Sequence, residues 1–101
     1  MKNVNLKISI DSSTRRIDYV VVEGRQFNPD SFFSFKNGHW TAEQQNFPLQ
    51  EDNDLDILII AIGNKGEQSS MKVTVDDELK GTFKLYKPFN HNGYGQFNVE
   101  V

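Results

Sequence analysis

Leu55-Asp56-Ile57-Leu58-Ile59-Ile60-Ala61-Ile62 is the longest apolar run in the chain, and its reading decides the fold. In an extended conformation Leu55, Ile57, Ile59 and Ala61 share one side, and Leu58, Ile60 and Ile62 share the other. A strand apolar on both faces belongs in the middle of a sheet covered on both sides. Periodicity alone also fits a short buried helix. The isoleucines at 57, 59 and 60 and the Gly63-Asn64-Lys65-Gly66 turn favour a strand. The run is too short to cross a bilayer as a helix.

Before this run, Glu43 to Asp54 is polar and acidic. It reads as a connection, with Phe47-Pro48-Leu49 as a tether onto the core, and suits the long crossover of a Greek key. Further back, Asn37-Gly38 sits between Phe33-Ser34-Phe35-Lys36 and His39-Trp40-Thr41-Ala42. Asn-Gly is the preferred chemistry of a two-residue type I′ turn. Counting outward pairs Lys36 with His39, Phe35 with Trp40, Ser34 with Thr41 and Phe33 with Ala42. The aromatic residues and Ala42 then share one face, and the polar residues share the other, so register and polarity agree. Gly24 and Asn28-Pro29-Asp30-Ser31 read as breaks. Val4, Leu6, Ile8 and Ile10 alternate with polar residues, and Ile17 to Glu23 is rich in β-branched residues. These two segments are expected to form a hairpin across Asp11-Ser12-Ser13-Thr14.

Beyond the run, Met71, Val73 and Val75 alternate with polar residues up to the turn Asp76-Asp77-Glu78. Leu79, Gly81, Phe83 and Leu85 alternate again, and Phe97, Val99 and Val101 face inward on a last strand. About eight short strands with turn residues between them are the signature of a sandwich or small barrel. We therefore expect residues 1–101 to form one all-β domain. The expected architecture is a single antiparallel β-sandwich, immunoglobulin-like or C2-like, of about seven to nine strands.

Composition narrows function by exclusion. A net charge of −3 gives no concentrated basic surface for nucleic acid, and Arg15-Arg16 is the only basic pair. No cysteine is present, so disulfides and thiolate metal sites are out. Eight Phe, three Tyr and one Trp argue for an ordered core. The start has no signal-peptide apolar region, and no Asn-x-Ser/Thr acceptor occurs, so a cytoplasmic location is expected.

Asp52-x-Asp54-x-Asp56 invites a calcium reading. The EF-hand template then asks for Gly and Glu where this chain has Ile57 and Gly63, and it fails. Calcium held between loops by Asp52 and Asp54 with Asp76 and Asp77 remains as an alternative. His39 and His91 each stand alone, without zinc-ligand spacing. No serine has the Gly-x-Ser-x-Gly context of a presented nucleophile, and no phosphate-cradling glycine motif exists. No cofactor is implied.

The richest loop runs from Tyr86 to Gln96. Its Tyr86, Phe89, Asn90, His91, Asn92 and Tyr94 interleave aromatic rings with amides and an imidazole. Such a set suits protein partners, and also sugar faces and hydroxyl edges. Pro88-Phe89-Asn90-His91-Asn92-Gly93-Tyr94 resembles a stretch of actinoporin-like membrane-binding β-sandwiches. That family carries Pro, an aromatic, Asp or Asn, then Asn and Tyr at similar spacing, and uses the region for choline headgroups. The resemblance covers about one-tenth of the chain. The family's following tryptophans and its amphipathic amino-terminal helix have no counterpart in this sequence.

Three functions are in play. The first is a non-enzymatic binding module for a protein partner, as an assembly subunit, inhibitor or immunity-type protein. The second is ligand binding at the loop end, to carbohydrate or a lipid headgroup, with calcium assistance. It requires Phe89, Tyr94 and either Trp40 or Tyr86 to be exposed together. The third is a hydrolase using carboxylates and His91, which requires a deep pocket holding at least two of them.

Overall fold

The computed structural model describes residues 2–49 and 54–101. The described residues form strands β1 (Lys2–Asp11), β2 (Thr14–Val22), β3 (Arg25–Phe27), β4 (Ser34–Lys36), β5 (His39–Leu49), β6 (Asp56–Gly63), β7 (Ser70–Val75), β8 (Glu78–Lys84) and β9 (Tyr94–Glu100). One helical turn, α1 (Pro29–Phe32), precedes β4. The first sheet has the order β4-β5-β1-β7-β8 and the second β3-β2-β6-β9, with every pairing antiparallel. Ile8, Ile10, Met71 and Val73 from the first sheet meet Val20, Val22, Ile57, Ile59 and Phe97 from the second in one buried cluster. The chain is all-β, with two antiparallel sheets sharing a core, as a β-sandwich requires. Among the described residues no helix is long and apolar enough to cross a membrane.

The Asn-Gly hairpin forms in the predicted register, Ser34 with Thr41, Phe35 with Trp40 and Lys36 with His39. Both turn residues take positive φ, 52° at Asn37 and 78° at Gly38, as a type I′ turn needs. Phe33 and Ala42 are buried, whereas Phe35 on the short edge strand is 53% exposed and packs edge-on against Trp40 at 5.0 Å.

Several expectations need correcting. Strands β1 and β2 form no hairpin: β1 lies between β5 and β7, and β2 lies between β3 and β6. Ser12 and Ser13 lack the positive φ that folds a tight hairpin back on itself, so the chain turns a corner between sheets. Asp11 fixes that corner. Its carboxylate accepts from Ser13 N (3.1 Å), Ser69 Oγ (2.7 Å) and Ser70 N (3.1 Å).

Residues 43–49, expected as connection, continue β5 along β1, with Phe47 and Leu49 buried. The polar composition belongs to a bulged strand, with a register shift between Val4 and Leu6 and a positive φ at Asn46. The break at Asn28-Pro29-Asp30-Ser31 is a helical turn, because Asn28 Oδ1 caps Asp30 N at 2.9 Å and Pro29 suits the first helical position. Leu79, expected inward, is exposed. The register shifts between Val73 and Thr74, and one residue of slip turns a side chain to the other face.

The central run is β6, hydrogen-bonded between β2 and β9 as expected of an interior strand. Its second face is different. Ile57, Ile59 and Ala61 are buried, but Leu58, Ile60 and Ile62 on the outward side are only half-buried. The described residues form no third sheet over that side.

Candidate functional site

The Tyr86–Tyr94 loop is pinned to the second sheet at both ends. Tyr86 N donates to Gln96 O (2.8 Å), and Asn90 N donates to Tyr94 O (2.9 Å). Asn90 Oδ1 accepts from Asn92 N (2.9 Å) and Tyr94 N (3.0 Å), which winds Asn90-His91-Asn92-Gly93 into a closed turn. Phe89 N donates to Glu67 O (3.0 Å), and its own carbonyl accepts from Gly66 N (2.8 Å).

These bonds drive the Phe89 ring inward. It is 2% exposed and lies where a Cβ at Gly63 or Gly95 would intrude, so two glycines hollow out its seat. Phe89 is therefore a core residue, not a ligand contact. Tyr86 and Tyr94 remain outside at 73% and 44% exposure, and Asn90, His91 and Asn92 are exposed. Trp40 is half-buried, with Nε1 committed to Thr14 O at 2.7 Å. The joint exposure of Phe89 and the other rings, on which loop-end sugar or headgroup binding depended, is absent.

The metal alternative fares no better. Asp52 lies outside the described residues. Asp76 is engaged with Asn5, accepting from its N at 2.8 Å, and Asp76 and Asp77 form the β7–β8 turn with φ of 50° and 65°. Asp54 lies instead beside Glu100 and Asp56. Among the described residues no three His, Cys, Asp or Glu form a group able to hold a metal ion. Protonated Glu100 donates a hydrogen bond to the Asp54 carboxylate, and this bond, with repulsion from Asp54 and Asp56, raises the Glu100 carboxyl above its ordinary value.

The loop borders a cleft of about 250 Å³ lined by Ile60, Tyr86, Lys87, Pro88, Asn90, Tyr94, Gly95 and Gln96. Neither His91 nor any carboxylate lines it. Ser69, the serine nearest a carboxylate, is buried between Asp11 and Thr14 Oγ1 (2.7 Å) and acts as a structural link. His39 faces a different and polar cleft of about 540 Å³ on the first sheet, with Lys7, Lys36, Ser9, Ser34 and Thr41.

From the loop cleft an apolar surface continues over the second sheet. Register sets Tyr19 beside Ile60 and Val21 beside Leu58, and sets Tyr94 beside Ile62 on the opposite flank. Tyr19, Tyr86 and Tyr94 are exposed, and the aliphatic side chains between them are half-buried. Sequence reasoning missed this face because it assigned Leu58, Ile60 and Ile62 to the interior. The available signal was Tyr19, a polar-tipped aromatic in register with that row. No known protein family, curated protein or solved structure matches the chain.

Proposed function

We propose that the chain is a non-enzymatic protein-binding module whose working surface is the outward face of the second sheet. The observation that carries this reading is the half-buried row Leu58, Ile60 and Ile62 on the outward side, flanked by Tyr19, Val21 and Tyr94. Scattered apolar side chains are ordinary on a surface, but a contiguous patch rimmed by polar groups marks a contact site. Tyrosine suits such a patch, since its ring buries apolar area and its hydroxyl tolerates water. Tyr86 and Tyr94 bring the predicted loop into the surface, with Phe89 anchoring it from beneath.

Photo-crosslinking in the native cells tests the reading. A photoreactive residue at Tyr19 or Ile60 is expected to capture a protein that binds the purified chain and releases Ile60→Lys. The same probe at Lys72 or Thr82, on the first sheet's outward face, is expected to capture none. Equal capture from both faces, or none from Tyr19 and Ile60, overturns the assignment.

A further inference from the structure

The outward face of the second sheet has charged ends of opposite sign. At the start of β6, Asp56 pairs in register with Glu100, and Asp54 hydrogen-bonds to Glu100. Glu23 adjoins them, its carboxylate accepting from Asp56 N at 2.8 Å. At the far end Arg16 pairs in register with Ile62, and Arg15 reaches Asn64 Oδ1 at 3.2 Å. Lys87 lies at the same end, in the cleft with Ile60 and Tyr94. Asp18 offsets part of that positive charge, at 3.7 Å from Arg16. The apolar row lies between the two ends, with Ile60 at its centre.

A face with an apolar middle and oppositely charged ends is complementary to itself. Resting on the reading of this face as protein-binding, we infer that its partner is a second copy of the chain, packed face to face about a two-fold axis. The axis lies in the interface plane and crosses the strands at Ile60. It sets Ile60 against its mate and Ile62 against the partner's Leu58. The arginine end of each copy then covers the carboxylate end of the other. A two-fold axis along the strands would stack the two carboxylate ends together, so charge selects the antiparallel arrangement. Closer detail agrees. At the acidic end a cleft of about 240 Å³, lined by Val21, Asp56, Leu58, Asn98 and Glu100, faces the level from which the second copy's Arg16 and Tyr94 project.

The footprint bounds the strength. Three strands about 23–31 Å long and the three-residue β3, spaced by ~4.8 Å, offer roughly 450 Å² per copy before side-chain relief is added. That is the low end for a specific interface, which points to a reversible dimer rather than an obligate one.

Sedimentation velocity on the full chain, from about 1 to 300 µM at low salt, tests the inference. A concentration-dependent monomer–dimer equilibrium is expected, weakened by salt. Ile60→Lys should remove it while the far-ultraviolet circular dichroism stays unchanged. Arg16→Glu and Glu100→Arg, both at exposed positions, should each weaken it about tenfold, because each reverses a charge at one of the two complementary ends. A monomer throughout overturns the second copy as partner but leaves the protein-binding reading, which the capture of a foreign protein at Tyr19 and Ile60 then decides. A dimer that persists in a folded Ile60→Lys, or one that neither charge reversal weakens, also overturns the inference.

Discussion

Across the first sheet, register lines up Ser34, Thr41, Ser9, Lys72 and Thr82 on the outward face, and the neighbouring rows add Lys7, Lys36 and Lys84. Across the second sheet the outward rows are Val21, Leu58 and Asn98, then Tyr19, Ile60 and Gln96, then Arg16, Ile62 and Tyr94. Both sheets use the same pleat and bury the same kind of aliphatic inner row. Hydroxyls and lysines satisfy water at no cost to the fold, whereas isoleucine and tyrosine left half-wet forfeit stabilisation that a partner would restore, at about 25 cal/mol per Å² covered. On the proposed reading, the faces differ because the second has a contact to make.

The sharpest way to break this contrast uses neighbours on one strand. Ile59 is 0% exposed, and Ile60 points the other way, half-buried. Ile59→Asp should abolish folding, because an unpaired buried charge costs several kcal/mol, comparable to the whole stability of a small domain. Ile60→Asp should cost about 1 kcal/mol and leave a cooperative urea transition. Equal losses in the two would mean that the second sheet has no open face.

Next in size is the loop. Phe89→Ala empties the seat formed over Gly63 and Gly95 and should cost about 3–5 kcal/mol by urea denaturation. Tyr86→Ala, at an exposed ring, should stay within about 0.5 kcal/mol. A large loss at Tyr86 would move it from the proposed binding face into the scaffold.

The same residues show what sequence can and cannot carry. The Asn37-Gly38 hairpin was legible to the residue, because turn chemistry and alternation are local and agreed with each other. The interior position of β6 was legible too, from a run that is apolar on both faces. What covers its outward face was not, since apolar residues read alike whether a layer of the same chain or another molecule lies over them. The Asp11 corner failed for a related reason. A short Ser-rich turn fits a hairpin and a crossing between sheets equally well, and the difference is made 58 residues away by Ser69. Phe89 was misassigned because nothing local says that Gly63 and Gly95 hollow out a place for it.

That corner supplies a third test, set against the first sheet's polar face. Asp11→Ala removes the acceptor of Ser69 Oγ, Ser70 N and Ser13 N and should cost about 2 kcal/mol. Lys72→Ala, a few residues away on the same outward face, should change the denaturation midpoint hardly at all. A first-sheet face that served as more than a solvated surface would show itself as an unexpected loss at Lys72.

The smallest effect separates the charged ends of the second face by pH. Asp54 and Asp56 raise the Glu100 carboxyl in the isolated chain, so between the ordinary and the raised value the folded state holds a proton that the unfolded state has released. Stability of the single chain therefore falls as pH rises through that window. Glu100→Gln removes the repulsion, so at low micromolar concentration it should raise the melting temperature slightly near neutral pH, with the gain vanishing below about pH 4, where both states are protonated. At concentrations where two copies associate, the second copy's basic end covers this end and favours the charged carboxylate, so the same substitution should loosen the dimer near neutral pH. A change of sign between dilute and concentrated samples of one variant requires both the crowded carboxylates and a cation brought to them. A gain of the same sign at every concentration would leave the acidic end uncovered, and the two-fold contact would fall with it.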